Sequence, residues 1–488
     1  MTHYHRVKEL VLDRCDSHWR RQIYSVPCTD ATNCNMSLKL ILLLYENRSK
    51  HQATNFWLTL FIVLQLVTVS PAATVEASQD HSHPTPDASD RESNQTHNEH
   101  VTPSDQWRFM QDGVVFVTFN NQATPRGETE LISQNWWMGM ASRPMANGTF
   151  MVRGMLSLEP LTMGGNGYGE IFQTGETYRE QPLVNRQHPH DFVMQLIAAW
   201  RRPLSPRTSI TVAGGPVGEA TLGPVAFMHR LSAAENPFAP LGHHTFDSTH
   251  ITKGVIATRV DHGPIAIEGS VFHGGEPDEY RWGISDFGTL DSWATRVWFL
   301  PDEHWAFQAS HGFLRKPERL EPGNARRTTA SVSWLSESDA RFTALTAGYG
   351  HNDKELAHSF SDAFFVEATR RFSPYVVYSR FEAVDVETEL LLKTKTHIDN
   401  GHAEPSTVGA LTIGMLRDLP RLRRFELAIG GDVTVHKVPD QLASIYGARP
   451  VSFKIFFRLR PPVSPMGRMR NGTMMQPMRM MQPMREHQ

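Results

Sequence analysis

At 488 residues the chain is long enough for two or three ordinary domains, or for one β-barrel, which routinely exceeds the usual domain size as a single unit. Its 48 Lys+Arg nearly balance 51 Asp+Glu, so no whole-protein field favours a nucleic acid, and no nucleic-acid partner is expected. A hydrophobic content of 40% and a mean hydropathy of -0.38 fit a soluble protein and a transmembrane barrel equally, because barrel strands alternate apolar and polar residues.

Residues 1–47 are polar and obey no export logic; they read as an over-extended translation start, with Met36 the better initiator. All three cysteines, Cys15, Cys28 and Cys34, lie there, so the rest of the chain holds no disulfide, thiolate zinc site or cysteine nucleophile. The apolar run from Phe56 to Val69 is preceded by Arg48 and Lys50 and trailed by Ala72, Ala73 and Ala77, the parts of a cleavable secretory signal. A membrane anchor is the alternative, but the run is shorter than the roughly 20 residues that span a bilayer. Residues 1–77 therefore read as extension plus signal peptide. Residues 78–105, rich in Ser, Asp, His and Pro, lack bulky apolar side chains and are expected to be disordered. Their His81, His83, His97 and His100 read as solvated linker or as loose metal ligands.

From 106 to 461 the dominant period is two, broken by Gly, Pro, Asn and Asp clusters. In the stretch after Arg424, Phe425, Leu427, Ile429, Val433 and Val435 alternate with Glu426, Asp432, Thr434 and His436. The last strand sets Phe453, Ile455, Phe457 and Leu459 against Lys454, Arg458 and Arg460, basic residues that suit a wet lumen better than a sandwich core. The expected fold is all-β: an antiparallel transmembrane β-barrel of about twelve to sixteen strands, 14 being the even number nearest that range. A soluble β-sandwich or propeller is the alternative. The stretch 186–202 breaks the pattern, since Phe192, Leu196, Ile197 and Trp200 also fit a helical period; a short helix or plug-like insertion is expected there.

Candidate chemistry concentrates between 186 and 279. His188, His190, Asp191, His243, His244, Asp247 and His250 are residue types that can converge on one ion. On one helical turn His243 or His244 would face Asp247; on a strand His244 and His250 would share a face. Polar loops and lumen walls also gather such residues with no ion. His229, His244, Asp247, Ser248, Asp291 and Ser292 supply the types for a hydrolase, but no Gly-x-Ser-x-Gly elbow accompanies them, and no enzyme is expected. After Pro462 the tail repeats Met-Met-Gln-Pro-Met-Arg, placing Met474, Met475, Met478, Met480, Met481 and Met484 as soft thioether ligands. Cu(I) binding and a slipped repeat in a disordered tail are equal readings of 462–488. No cofactor is required, and a copper ion is the one candidate.

In Gln187–Phe192, Gly223–Arg230, Leu241–Ile251, Glu268–Glu279 and Leu290–Trp293 the chain resembles a poorly characterised family of bacterial outer-membrane-type barrels associated with copper and heavy-metal gene neighbourhoods. The resemblance covers about residues 107–460 and implies no role residue by residue. The expected function is porin-like passage or handling of small solutes, with copper or other soft metal ions as candidates, and with outer-membrane lipid as the other partner. A soluble secreted or periplasmic metal-binding β-protein and an outer-membrane barrel hydrolase are the alternatives.

Overall fold

A computed structural model describes residues 106–284, 288–319, 323–338, 341–355, 359–392, 406–462, 468–470 and 479–481. The N-terminal extension, the signal run and the 78–105 linker lie outside these residues, as do Met474, Met475, Met478 and Met484. Of the tail, Arg468–Arg470 and Arg479–Met481, the latter including Met480, pair as a short antiparallel ladder.

Period-two alternation produces strands that close on themselves. The wall runs through Arg108–Gln122, Asn135–Met145, Gly148–Leu156, Val193–Ser205, Thr208–Gly218, Thr252–His262, Ile265–Phe272 and Ser292–Phe299. It continues through Trp305–Leu314, Ala325–Ser338, Arg341–Lys354, Ser359–Phe372, Tyr375–Val386, Ser406–Leu422, Phe425–Lys437 and Val451–Arg460. Arg108–Gln122 closes the ring, since it pairs with the last strand (Val115↔Leu459 to Gln122↔Ser452) and, on its other edge, with Asn135–Met145. The short Thr129–Ile132 pairs along that same edge, so the two segments make one interrupted wall strand and the barrel has 16 strands, not 14. Closure removes every sheet edge, which a lipid environment demands because nothing there can satisfy a free backbone group.

Polarity is inverted relative to a soluble protein. Large apolar side chains face outward, among them Ile413 (61% exposed), Phe109 (60%) and Ile267 (57%), while Arg259, Glu367 and Arg458 point inward at 0%. The predicted faces of the last strand hold: Phe453, Ile455 and Phe457 are exposed, and Lys454 and Arg458 are buried. Leu459, expected outward, is buried at the seam with the first strand. Aromatic rings crowd the turn end of the wall, with Trp305 stacked on Phe307 and adjacent to Trp334. A charge placed mid-strand on this outer face has no partner in lipid. Ile413→Arg is therefore expected to cost about 2–4 kcal/mol of folding free energy in bilayers, measured by denaturant titration in vesicles.

Among the described residues, the segments that join strands at the end holding both barrel termini are short turns. The one at Ala146 and Asn147 has φ of 50° and 57°, as a tight right-twisted hairpin requires. Long segments sit at the opposite end, and one of them turns inward. Residues 219–251 cross the lumen and are tied to wall strands nearly all the way round. Gly223 N–H donates to Ser310 Oγ (2.9 Å), Arg296 Nη1 to the Gly223 carbonyl (3.0 Å), Gly242 N–H to Glu382 Oε1 (3.3 Å) and Arg380 Nη1 to the Phe238 carbonyl (3.0 Å). Gly350 is a wall residue that the insert approaches closely, since a Cβ there would stand 2.8 Å from the Thr245 carbonyl oxygen.

The inward insertion expected at 186–202 is thus present only in its first part, 186–191, and the larger plug is 219–251. Residues 193–202 are wall strand, paired with Thr149–Leu156, and not helix. The ambiguity has a physical source: Ile197 and Ala199 face inward onto Ala220 and Leu222 of the insert, so both faces of that strand are apolar and the alternation fades.

Candidate functional site

Three inward segments meet in the lumen: the hairpin Tyr168–Tyr178 and Gln181–Gln187, the 188–191 stretch that leaves it, and the 243–250 stretch of the insert. His243–Phe246 forms one helical turn, as one of the two sequence readings required, and the 3-10 turn Ser248–His250 comes directly after it. That turn sets His243 against Asp247, with Nδ1 2.7 Å from Oδ1. His244 instead faces Glu276, Nδ1 to Oε1 3.4 Å.

The structure brings all five predicted histidines together. Ring centroids are 5.2 Å apart for His243 and His250, 5.3 Å for His243 and His244, 5.4 Å for His188 and His244, and 5.5 Å for His190 and His250. Phe227 closes one side, its centroid 5.5 Å from that of His243. Four of the imidazoles are oriented through Nδ1: His190 on Glu159 Oε2 (2.9 Å), His243 on Asp247, His250 on the Asp247 carbonyl (2.8 Å) and His188 on the Pro189 carbonyl (3.2 Å). The Nε2 atoms of His190, His244 and His250 are buried and have no hydrogen-bond partner.

The two predicted aspartates take a different place. Asp191 lies between Lys253 Nζ (3.1 Å) and Arg281 Nη1 (3.2 Å), and Asp247 accepts from Arg230 Nη1 (2.8 Å) and the Phe227 N–H (3.0 Å). Both carboxylates are spent on cations and backbone, so they hold the cluster in place from behind it. Among the described residues no three His, Cys, Asp or Glu side chains are already drawn into a ligand shell.

Burial dominates the electrostatics. It pushes His188 and His250 well below the ordinary histidine value, helped by Arg281 at the first and His243 at the second, and it lowers His243 despite Asp247. It opposes protonation of His190 as well, but the adjoining Glu159 carboxylate wins and raises that pKa. Burial also lifts Glu176 to about 7 against the pull of Arg281. Glu176 has φ of 55°, a left-handed conformation that costs a non-glycine residue energy, and it places Oε1 3.1 Å from His188 Nε2.

Toward the turn end the cluster borders a lumen cavity of about 690 Å³, which His188 and His190 help to line. Its opposite rim carries Arg341, Arg371, Arg421, Arg423, Arg424 and Arg460. The wall behind Phe227 is built of Met110, Met138, Met140, Met155 and Met194, which pack against the insert.

No family model matches the chain, and no curated protein is similar to it. Solved outer-membrane barrels are similar at low identity. The anion-selective porin of Comamonas acidovorans matches with 11% identity over 73% of this chain and 100% of its own, at a TM-score of 0.46. OprB of Pseudomonas putida matches with 9% identity over 73% and 94%, at 0.48, and a loop-deleted OmpT of Vibrio cholerae with 10% over 73% and 99%, at 0.45. The chain's own strand pairing, rather than these scores, defines the barrel.

The serines that a hydrolase would need are occupied elsewhere. Ser248 Oγ accepts from Arg327 Nη1 (2.9 Å), Ser292 Oγ donates to Asp291 Oδ1 (3.0 Å), and His229 packs edge-on against Trp136. Glu159, Glu176 and Arg281 were not legible as site residues. Nothing in their local sequence marks them, and Glu159 reaches His190 across 31 positions.

Proposed function

We propose that the chain is an outer-membrane barrel that takes small anionic solutes into the lumen through its arginine-rimmed turn end, the inserted segment narrowing passage. The observation that carries this reading is the inverted polarity of the closed sheet, an apolar exterior around a charged, cavity-bearing interior. A soluble β-protein would expose Ile413, Phe109 and Ile267 to water with no compensating gain. The rim arginines support an anionic substrate class, since guanidinium concentrates and orients anions in pores; Arg341, Arg423 and Arg424 carry this reading, because Arg371, Arg421 and Arg460 pair with Asp418, Glu426 and Glu235.

Planar-bilayer recording with the purified full chain under a KCl gradient tests both parts. The reversal potential is expected on the chloride side, and the triple change Arg341→Glu, Arg423→Glu, Arg424→Glu is expected to carry it to or past zero. Absence of conductance from the intact chain, together with release from membranes by carbonate, sinks the barrel reading; a potassium preference in the intact chain sinks the anion reading.

A further inference from the structure

The five-histidine cluster is used neither by the barrel closure nor by the arginine rim, and it contains an imbalance. In a buried site a neutral imidazole whose Nδ1 faces a carboxylate or carbonyl oxygen carries its one proton there, which leaves Nε2 with a bare lone pair. His243 and His250 are fixed this way, by Asp247 and the Asp247 carbonyl, while His190, held at Nδ1 by Glu159, offers its Nε2 once the proton that Glu159 favours is displaced by the ion. Buried polar atoms without partners are rare and costly, yet Nε2 of His190 and Nε2 of His250 are both buried and unpartnered. His190 is nine-tenths buried and lines the lumen cavity, so the cluster adjoins the space from which an ion would come.

We propose that His190, His243 and His250 form a binding site for a borderline divalent transition-metal ion, Zn²⁺ or Cu²⁺, ligated through Nε2. Neutral imidazole suits these ions, and a carboxylate or carbonyl on the opposite ring nitrogen is the outer-shell arrangement that orients metal-ligating histidines. Two of the three spacings agree: with metal–nitrogen bonds near 2.1 Å, imidazoles sharing a tetrahedral ion have centroids roughly 5 Å apart, and His250 lies 5.2 Å from His243 and 5.5 Å from His190, so His190 and His243 are the pair that must approach. The shell is not preformed among the described residues; it closes by an approach of the three rings that keeps each Nδ1 on its partner, with a water in the fourth position, since His188 Nε2 already faces Glu176. Asp191 and Asp247 are excluded as ligands because Lys253, Arg281 and Arg230 already claim them.

This site goes beyond solute passage and rests on different residues. The test is Zn²⁺ titration by calorimetry and Cu²⁺ electron paramagnetic resonance on the detergent-solubilised full chain. The triple variant His190→Ala, His243→Ala, His250→Ala is expected to lose one ion per chain and the nitrogen hyperfine splitting. Glu159→Gln, which touches no ion, is expected to weaken that site about 10- to 100-fold. His262→Ala, on the exposed wall, is the control and leaves affinity unchanged. Since the full chain also carries His- and Met-rich segments, crystals soaked in Zn²⁺ supply a second readout, an anomalous peak between the three rings. Unchanged stoichiometry in a folded triple variant, or no anomalous peak in the intact protein, overturns the proposal whatever the conductance shows.

Discussion

Deleting residues 220–250 and joining the flanking strands with a short turn is expected to raise single-channel conductance severalfold while the barrel still forms. The insert hydrogen-bonds to the wall at Ser310, Arg296, Arg380 and Glu382, but it supplies none of the strand pairing that closes the ring. Its removal leaves inward charges such as Glu367 and Arg458 without their insert partners. In a dry core that would be ruinous; here water fills the vacated lumen and solvates them, so the desolvation term that makes an orphaned buried charge expensive is removed with the insert. The checks are conductance histograms for intact and deleted chains and heat-modifiable migration on gels. An unchanged conductance in a folded deletion would mean that the insert does not limit passage.

How much of this was legible in the sequence depends on what lies inside each strand. Where the lumen side is charged, as in Lys454 and Arg458 opposite Phe453 and Phe457, alternation alone assigns both faces. Where the lumen side is apolar because the insert packs on it, as at Ile197 and Ala199, the period is lost and a wall strand reads as a helix. The strand number lies at the top of the expected range rather than its middle, and boundaries blur where Thr129–Ile132 and Asn135–Met145 share one wall position. The histidines were legible as a set because they are dense in two short stretches. Their orienting partners were not: Glu159 and Arg281 are brought in by the lumen geometry, which a linear pattern does not encode.

Arg230→Met is expected to loosen the insert without dissolving the barrel. Arg230 is 2% exposed and joins three things: its Nη1 donates to Asp247 Oδ2 at 2.8 Å, its Nε to Glu367 Oε2 at 2.9 Å, and its guanidinium lies 4.7 Å over the Phe365 ring. Methionine keeps the volume against Phe365 but removes the charge, leaving two buried carboxylates short of a cation. Arg380 still serves Glu367 at 3.0 Å, and His243 still serves Asp247 at 2.7 Å, so neither is abandoned. The loss expected for breaking a buried pair is about 3–5 kcal/mol, with these remaining partners holding it toward the lower end. Most of that falls on the docking of 219–251 and little on the strand ladder, because local opening needs less free energy than unfolding the whole sheet. Limited proteolysis is therefore expected to cut within the insert of the variant while the wall stays resistant, and channel recordings to become noisier as the segment fluctuates. Arg326→Met, which removes the exposed 3.9 Å contact with Asp353, is expected to stay within about 1 kcal/mol of the intact chain. Equal protease resistance of the Arg230 variant and the intact chain would show that backbone contacts, not this guanidinium, hold the insert in place.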